Sequence, residues 1–352
     1  MARRAFVYLF VFVSTDIRIP PVMNRIDIYY YLLDDIVPNR NTQLKPSGNN
    51  KMLITYRLLL SVMLLSICMI SSARHTTIDT EFSFVFTPLA RPHGSTVLID
   101  SYHSTIYRNK SPGNVDTGII DILQQDGFIA DYLHQPLMEN SLTKNINILA
   151  IIGMRNSQTR ALSKNEIVAL KRWINDGGSL LLVVGHFPNG EGAIGLMKAL
   201  GVEYHNGYAN YPGLPGEKQD HLCSHFTMSR ENNLLTSNPV LALDNPAMLP
   251  VNRVKYLCGG AVYRKPGDVI LDMPAGTNIY YRNKHNGDLE MRESSGQPLA
   301  GMIGFSYGKG RIVVAADQGI FRNLIKVFDG KRVYVTINDP QADNAALFVN
   351  TM

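Results

Sequence analysis

Between Ser95 and Leu200 the chain alternates between two hydrophobic patterns. The runs STVLID (95–100), INILAII (146–152) and SLLLVV (179–184) are apolar at nearly every position. The segments between them carry apolar residues at helical spacing. Ile119, Ile122 and Leu123 share one face of a helix predicted over 115–125, with Gly127 as its stop. Ile167, Leu170, Trp173 and Ile174 define a second helix. Ser163 and Glu166 stand at the S-x-x-E spacing of a capping box at its start, and Gly177-Gly178 ends it. Phe128 to Leu133 reads as a further strand and Gly192 to Leu200 as a short helix. Strands without a polar face need cover on both sides, so the fold class predicted is α/β: a flavodoxin-like sandwich around a mainly parallel sheet.

After Tyr204 the periodicity breaks. Gly, Pro, Asn and Tyr become dense, as in HNGYANYPGLPGE, and short β-like runs follow at 254–257, 269–273 and 278–282. Residues 204–298 therefore read as an irregular, β-rich insertion in, or irregular extension of, one α/β domain spanning 95–352. Leu299–Phe305 and Arg311–Ala316 flank Tyr307-Gly308-Lys309-Gly310 and predict a hairpin. Ile320 to Val327 reads as helical. Asp343 to Met352 reads as the first part of a helix expected to continue in a longer chain. Residues 74–94 are taken as a linker or an edge strand.

Upstream, Leu58 to Ile70 (LLLSVMLLSICMI) is uncharged, follows Lys51 and Arg57, and exits through Ser71-Ser72-Ala73. A basic start, a short apolar stretch and a small-residue exit describe a secretory signal over 52–73, with cleavage expected after Ala73. The alternative is an uncleaved anchor, the one membrane contact expected of the chain. Residues 1–51 read as an extension upstream of a true start at Met52.

Charge changes the picture only in this leader. The chain is +5 overall, with a pI near 9.0. Arg3, Arg4, Arg18, Arg25, Arg40, Lys45, Lys51 and Arg57 against Asp16, Asp27, Asp34 and Asp35 place +4 of that before Arg74, leaving the rest near +1. A nearly neutral body gives no reason to expect nucleic acid as a partner. Export implies an oxidising compartment, where Cys223 and Cys258 could pair or stand as separate thiols.

Ligands of open α/β sheets sit beyond the carboxyl ends of the strands. The residues there are Asp100, Ser101 and His103 after the first strand, and Arg155 and Asn156 after the third. His186 and Asn189 follow SLLLVV, and Asp317 and Gln318 follow the last strand. Asp100, His103, Arg155, His186, Asn189, Asp317 and Gln318 are the candidate ligand-binding set. His186, His103, Asp100 and Asp317 are also the candidate acid–base or metal donors. Asp100 and Asp317 fit turn caps equally well, and both His fit ordinary hydrogen-bonded roles. No H-E-x-x-H, H-x-H or C-x-x-C spacing occurs, so no cofactor is expected, and a divalent metal rests on these four residues alone. The glycine-flanked turn Gly185–Gly190 could offer backbone N–H groups to an anion, less the one that Pro188 lacks. Tyr204, Tyr208 and Tyr211 could wall a sugar or peptide.

The phrases VLIDSYHS, NILAIIG, WINDGGSLLLVVGHFP, GRIVVAADQGIFRN and DNAALFVNTM resemble the class I glutamine-amidotransferase-like superfamily. They are most similar to its exported, uncharacterised branch, near ThuA-like and GIFT domains. The resemblance covers roughly 95–352 and implies a flavodoxin-like α/β sandwich. It also implies a nucleophilic Cys on the elbow after SLLLVV and a His-x-Glu pair late in the domain. Here the elbow carries Gly185 and His186, and the late motif is Asp317-Gln318-Gly319. A thiolate nucleophile needs a base beside it, so glutamine hydrolysis is not expected.

The resulting expectation is an exported, non-catalytic domain binding a small molecule, carbohydrate or cell-envelope component at its strand ends. One alternative is a hydrolase or isomerase with His186 as base and Asp100 as its orienter or a metal ligand. The other is an interaction subunit of an envelope complex that uses the Tyr-rich insertion as its contact surface.

Overall fold

The computed structural model describes residues 75–89, 94–104, 118–143, 145–154, 161–211, 225–241, 245, 248–282, 289–292, 298–328 and 331–352. The predicted leader, Arg155, Asn156 and Cys223 lie outside them. The first half contains strands β1 (His75–Ile78), β2 (Thr96–Asp100), β3 (Ile129–Leu133), β4 (Ile148–Ile152) and β5 (Ser179–Val183). Its helices are α1 (Gly118–Gln125), α2 (Lys164–Asn175) and α3 (Ile194–Ala199). Strands β6 (Glu203–His205), β7 (Tyr208–Asn210), β8 (Phe226–Ser229) and β9 (Arg253–Tyr256) follow. Then come β10 (Ala261–Tyr263), β11 (Val269–Asp272), β12 (Asn278–Arg282) and β13 (Leu289–Arg292). The chain ends with β14 (Ala300–Tyr307), β15 (Gly310–Ala315), β16 (Leu324–Phe328), β17 (Lys331–Tyr334) and helix α4 (Asn344–Thr351).

The result is a mixed α/β fold built on one large mixed sheet. Its order is β3-β2-β4-β5-β15-β14-β10-β6, with β11 also on β14. The stretch from β3 to β15 is parallel. From β15 to β14 and onward the pairing is antiparallel. The apolar runs of the sequence are the central strands: every residue of β4 is buried, and four of five in β5. Alternate residues of these strands feed two separate cores. Ile148, Ala150 and Ile152 join Ile119, Ile122 and Leu123 of α1 and Leu347 and Phe348 of α4. Leu149 and Ile151 join Leu170, Trp173 and Ile174 of α2 and Leu196 and Met197 of α3.

Helix α2 starts as its sequence predicts. Ser163 Oγ accepts the Glu166 N–H, and Glu166 Oε2 accepts the Ser163 N–H at 2.9 Å. The hairpin between β14 and β15 also forms as expected. Gly308 lies at φ +58, and a Cβ there would meet the Asn175 backbone at 2.7 Å, so a side chain is excluded twice over.

One expectation needs correction. Residues 320–327 form no helix. Asp317–Arg322 is a turn region, and Leu324–Phe328 pairs antiparallel with β1, from the far end of the chain. A partner that distant in sequence is invisible to local periodicity. Of the two readings of 74–94, the edge strand holds for its start, with β1 at the edge of the β1-β16-β17 sheet. His75–Ile78 is the partner strand, and Phe82, Phe84 and Phe86 pack against the core beside α1, with Ser83, Val85 and Thr87 facing out. Gln125 Nε2 donates to Phe86 O, and Leu89 N–H donates to Asp126 Oδ1. The segment 204–298 joins the main sheet in part. Its β6, β10 and β11 extend the large sheet, while β13-β12-β7 forms a small three-stranded sheet.

Helix α4 is enclosed on all sides, with Asn344 through Asn350 all buried. Two amides fasten it. Asn344 accepts the Lys255 N–H and donates to Lys255 O and Ile320 O. Asn350 accepts the Leu249 N–H and donates to Val240 O and Leu249 O. Asn344→Leu keeps the volume but leaves the Lys255 N–H without its partner. It is expected to cost about 1–3 kcal/mol in urea unfolding, the usual penalty for an orphaned buried polar group.

Candidate functional site

The strand-end residues divide into two classes. Asp100, His103 and Asp317 are consumed by bonds within the protein. Of the others, His186 bonds only through Nδ1, and the Asn189 and Gln318 side chains make no bond among the described residues.

Asp100 ends β2 and turns the chain, Oδ1 accepting the Tyr102 and His103 N–H groups at 2.9 and 3.1 Å. That turn brings His103 back so that Nδ1 lies 2.8 Å from Asp100 Oδ2. Nε2 lies 3.0 Å from Glu166 Oε1, the capping-box carboxylate of α2. His103 is 1% exposed. Burial works against its charge, but the hydrogen bonds and charges of Asp100 and Glu166 outweigh that and raise its pKa above 6.5. Burial works against the Glu166 charge too. Bonds from Ser163 and Leu137, together with the His103 charge, leave its pKa lowered from 4.5. His103 is thus an imidazolium donating from both ring nitrogens to carboxylates, and has no lone pair for a metal or a proton. Asp100 orients His103 rather than His186, so the predicted His186–Asp100 pair does not form. Glu166 is the member that sequence reading missed: S-x-x-E spacing announces a cap, but not the histidine it also holds.

The crevice beside these strand ends is closed as well. Ser104 bridges Met154, and its Oγ donates to Ile152 O at 2.6 Å, joining the ends of β2 and β4. Ser101 Oγ lies 2.5 Å from Nδ1 of His134, another residue the sequence did not single out.

Asp317 is equally enclosed. Its carboxylate accepts N–H groups from Leu257 at 2.5 Å and Gly319 at 2.7 Å, pinning the β9 exit to the turn after β15. Burial pushes its pKa up to about 6, against those bonds, the Lys326 charge and the Cys258 N–H. Cys258 itself is disulfide-bonded. Among the described residues no group of three or more His, Cys, Asp or Glu is placed to hold a metal. Of the predicted donors, Asp100 and His103 bond each other, while His186 bonds Phe187 O and Asp317 bonds the Leu257 and Gly319 N–H groups. No described helix is long and apolar enough to cross a membrane.

The elbow after β5 is different. Gly185 has no space above it: a Cβ would lie 3.0 Å from Gln318 Cβ and 3.5 Å from Asn189 Cβ. A nucleophile-bearing residue therefore does not fit there without displacing Gln318. Around this point His186, Asn189 and Gln318 are half-buried. His186 Nδ1 faces Phe187 O at 2.8 Å, so that nitrogen carries the proton and Nε2 keeps its lone pair. Burial lowers the His186 pKa below 6.5, against the Phe187 bond, so the ring is neutral at pH 7. The ring stacks on Tyr208 at 4.1 Å between centroids. The predicted tyrosine wall reduces to this residue. Tyr204 is turned inward, its hydroxyl bonded to Gly185 O, and Tyr211 packs toward the core. Two of the elbow's N–H groups are taken, Gly190 N–H donating to Met154 O and Asn189 N–H to His186 O.

No family model matches the chain, and neither does any curated protein. Similar solved structures include an exo-β-1,4-mannosidase from Opitutaceae bacterium strain TAV5, at 14% identity and TM-score 0.32. That match covers 64% of this chain and 31% of the enzyme, so the chain spans about a third of that relative. A cytoplasmic protein from Salmonella typhimurium LT2 matches at 14% identity and TM-score 0.37, covering 64% of this chain and 88% of that one. A ThuA-like protein from Bacteroides uniformis matches at 12% identity and TM-score 0.37, covering 76% and 94%.

The pH dependence of folding follows from the buried groups. His103 contributes stability below pH 6.5 that is lost as pH rises through its raised folded pKa. Asp317, raised from 3.8 to about 6, opposes folding above that value and is relieved as pH falls toward 3.8. Glu166 contributes above 4.5, and this is lost as pH falls through its lowered pKa. Burial lowers the His186 and His205 pKa values, so both oppose folding below 6.5. In scanning calorimetry the melting temperature is expected to rise on acidification from about pH 8 to about pH 6.5, through His103, and to flatten below that as these opposing groups protonate. In a His103→Gln variant the alkaline part of that slope is expected to flatten.

Proposed function

We propose that this chain is a non-catalytic, amidotransferase-like binding module that takes a neutral, hydroxylated ligand, a carbohydrate or cell-envelope component, at the β5 elbow. The observation carrying this is that His186, Asn189 and Gln318 gather around Gly185, with His186 Nε2 and the Asn189 and Gln318 amides making no bond among the described residues, while Asp100, His103 and Asp317 are bonded internally. A neutral imidazole and two amides match hydroxyl and amide groups and give no charge to pair with an ion. Tyr208 under His186 adds an aromatic surface for the apolar face of a sugar. The order β3-β2-β4-β5-β15, with helices tied to alternate strand faces, supports a flavodoxin-like three-layer arrangement. The disulfide at Cys258 supports an exported, oxidising setting, in keeping with the leader at 52–73.

A second reading rests on the bare Nε2 of His186, held by Phe187 O as a general base for hydrolysis or isomerisation. Thermal-shift screening of the full chain separates the two. A neutral sugar at 100-fold excess over its Kd is expected to stabilise by about 2.7 kcal/mol and to be recovered unchanged. His186→Ala or Gln318→Ala is expected to weaken binding by about tenfold, a loss of about 1.4 kcal/mol. Conversion of the sugar, abolished by His186→Ala, would install the second reading. Stabilisation by anions alone would contradict the first.

A further inference from the structure

The elbow does not end at Tyr208. That residue opens β7, which pairs with β12 in the small sheet. Tyr208 stands opposite Tyr280, and Asn210 opposite Asn278. Side chains alternate between the faces of a strand, so these four share one face. The other face belongs to the core: Ala209 is 0% and Ile279 1% exposed, and Tyr211 packs inward beside them. Tyr208, Asn210, Asn278 and Tyr280 are all half-buried, and no polar side-chain atom among them is bonded to another described residue.

Two tyrosines and two asparagines, arranged as a square of cross-strand pairs, make an unusual use of a sheet surface. Directly opposed Cβ atoms are about 5 Å apart, and diagonal neighbours about 7–8 Å. That square is comparable to one pyranose ring. Aromatic rings present a negative face that suits the C–H edges of a sugar, and Asn amides supply both a donor and an acceptor to ring hydroxyls or acetamides. His186 stacked on Tyr208 makes the surface continuous with Asn189 and Gln318 at the elbow.

We infer that the Tyr208/Tyr280–Asn210/Asn278 face is a second sugar subsite, so that the ligand is a neutral β-linked glycan of more than one ring, laid from the elbow across β7 and β12. This rests on the elbow reading proposed above. Flat, equatorially linked rings are the class that an extended aromatic surface accepts.

Calorimetric titration of the full chain with glucose, N-acetylglucosamine, cellotetraose and chitotetraose tests it. At least one tetrasaccharide is expected to bind about tenfold or more tightly than its own monosaccharide. Tyr280→Ala and, separately, Asn278→Ala are expected to remove most of that gain while leaving the monosaccharide affinity and the melting temperature close to wild type. Tyr280→Phe is expected to retain the stacking part of it. Tetrasaccharides binding no tighter than monosaccharides would overturn the second subsite, as would a gain untouched by both variants. In either case a monosaccharide affinity lost in His186→Ala would leave the elbow reading standing. Absence of binding by all four sugars would overturn both.

Discussion

A histidine closed off from solvent between two carboxylates anchors the carboxyl end of the parallel strands. Asp100–His103–Glu166 joins the end of β2 to the start of α2. The imidazolium balances one of the two negative charges. The other is offset by N–H groups of Tyr102, His103, Leu137 and Ser163 and by the positive end of α2, whose first turn holds Glu166. Every ring nitrogen and most carboxylate oxygens are thereby satisfied. Such a cluster contributes little net stability against an apolar substitute, but removing one member leaves a buried charge unpaired, at about 3–5 kcal/mol. It fixes geometry where ligands of related architectures enter, and it also fills that place.

The neighbouring elbow follows from this. With the β2–β4 crevice closed by His103 and Ser104, the open positions at the carboxyl ends lie two strands over, between β5 and β15. There the chain supplies neutral groups. His186 is kept uncharged by burial, Gln318 crowds the position above Gly185, and Tyr204 is locked beneath through Gly185 O. The two histidines therefore have opposite roles: one is a charged strut, the other a neutral surface group.

Much of the fold is legible in the sequence because its contacts are local. The apolar runs became β2, β4 and β5, the capping box opened α2, and Tyr307-Gly308-Lys309-Gly310 made the hairpin. The β1–β16 pairing was not legible, since it joins residues about 250 positions apart and overrides the helical spacing of Ile320, Leu324 and Val327. The candidate residues were located but not sorted. Strand-end position marks His103 and His186 equally, and only the return of the chain through Glu166 separates them. Tyr280 and Asn278 had no sequence signal of their own. Their meaning comes from register against Tyr208 and Asn210.

The division into charged struts and neutral surface groups is tested most directly by nitrogen-15 NMR of the histidine rings at pH 7. The account predicts His103 with both ring nitrogens protonated, and His186 neutral with the proton on Nδ1 and a bare Nε2. A neutral His103, or a His186 protonated at Nε2, would contradict it.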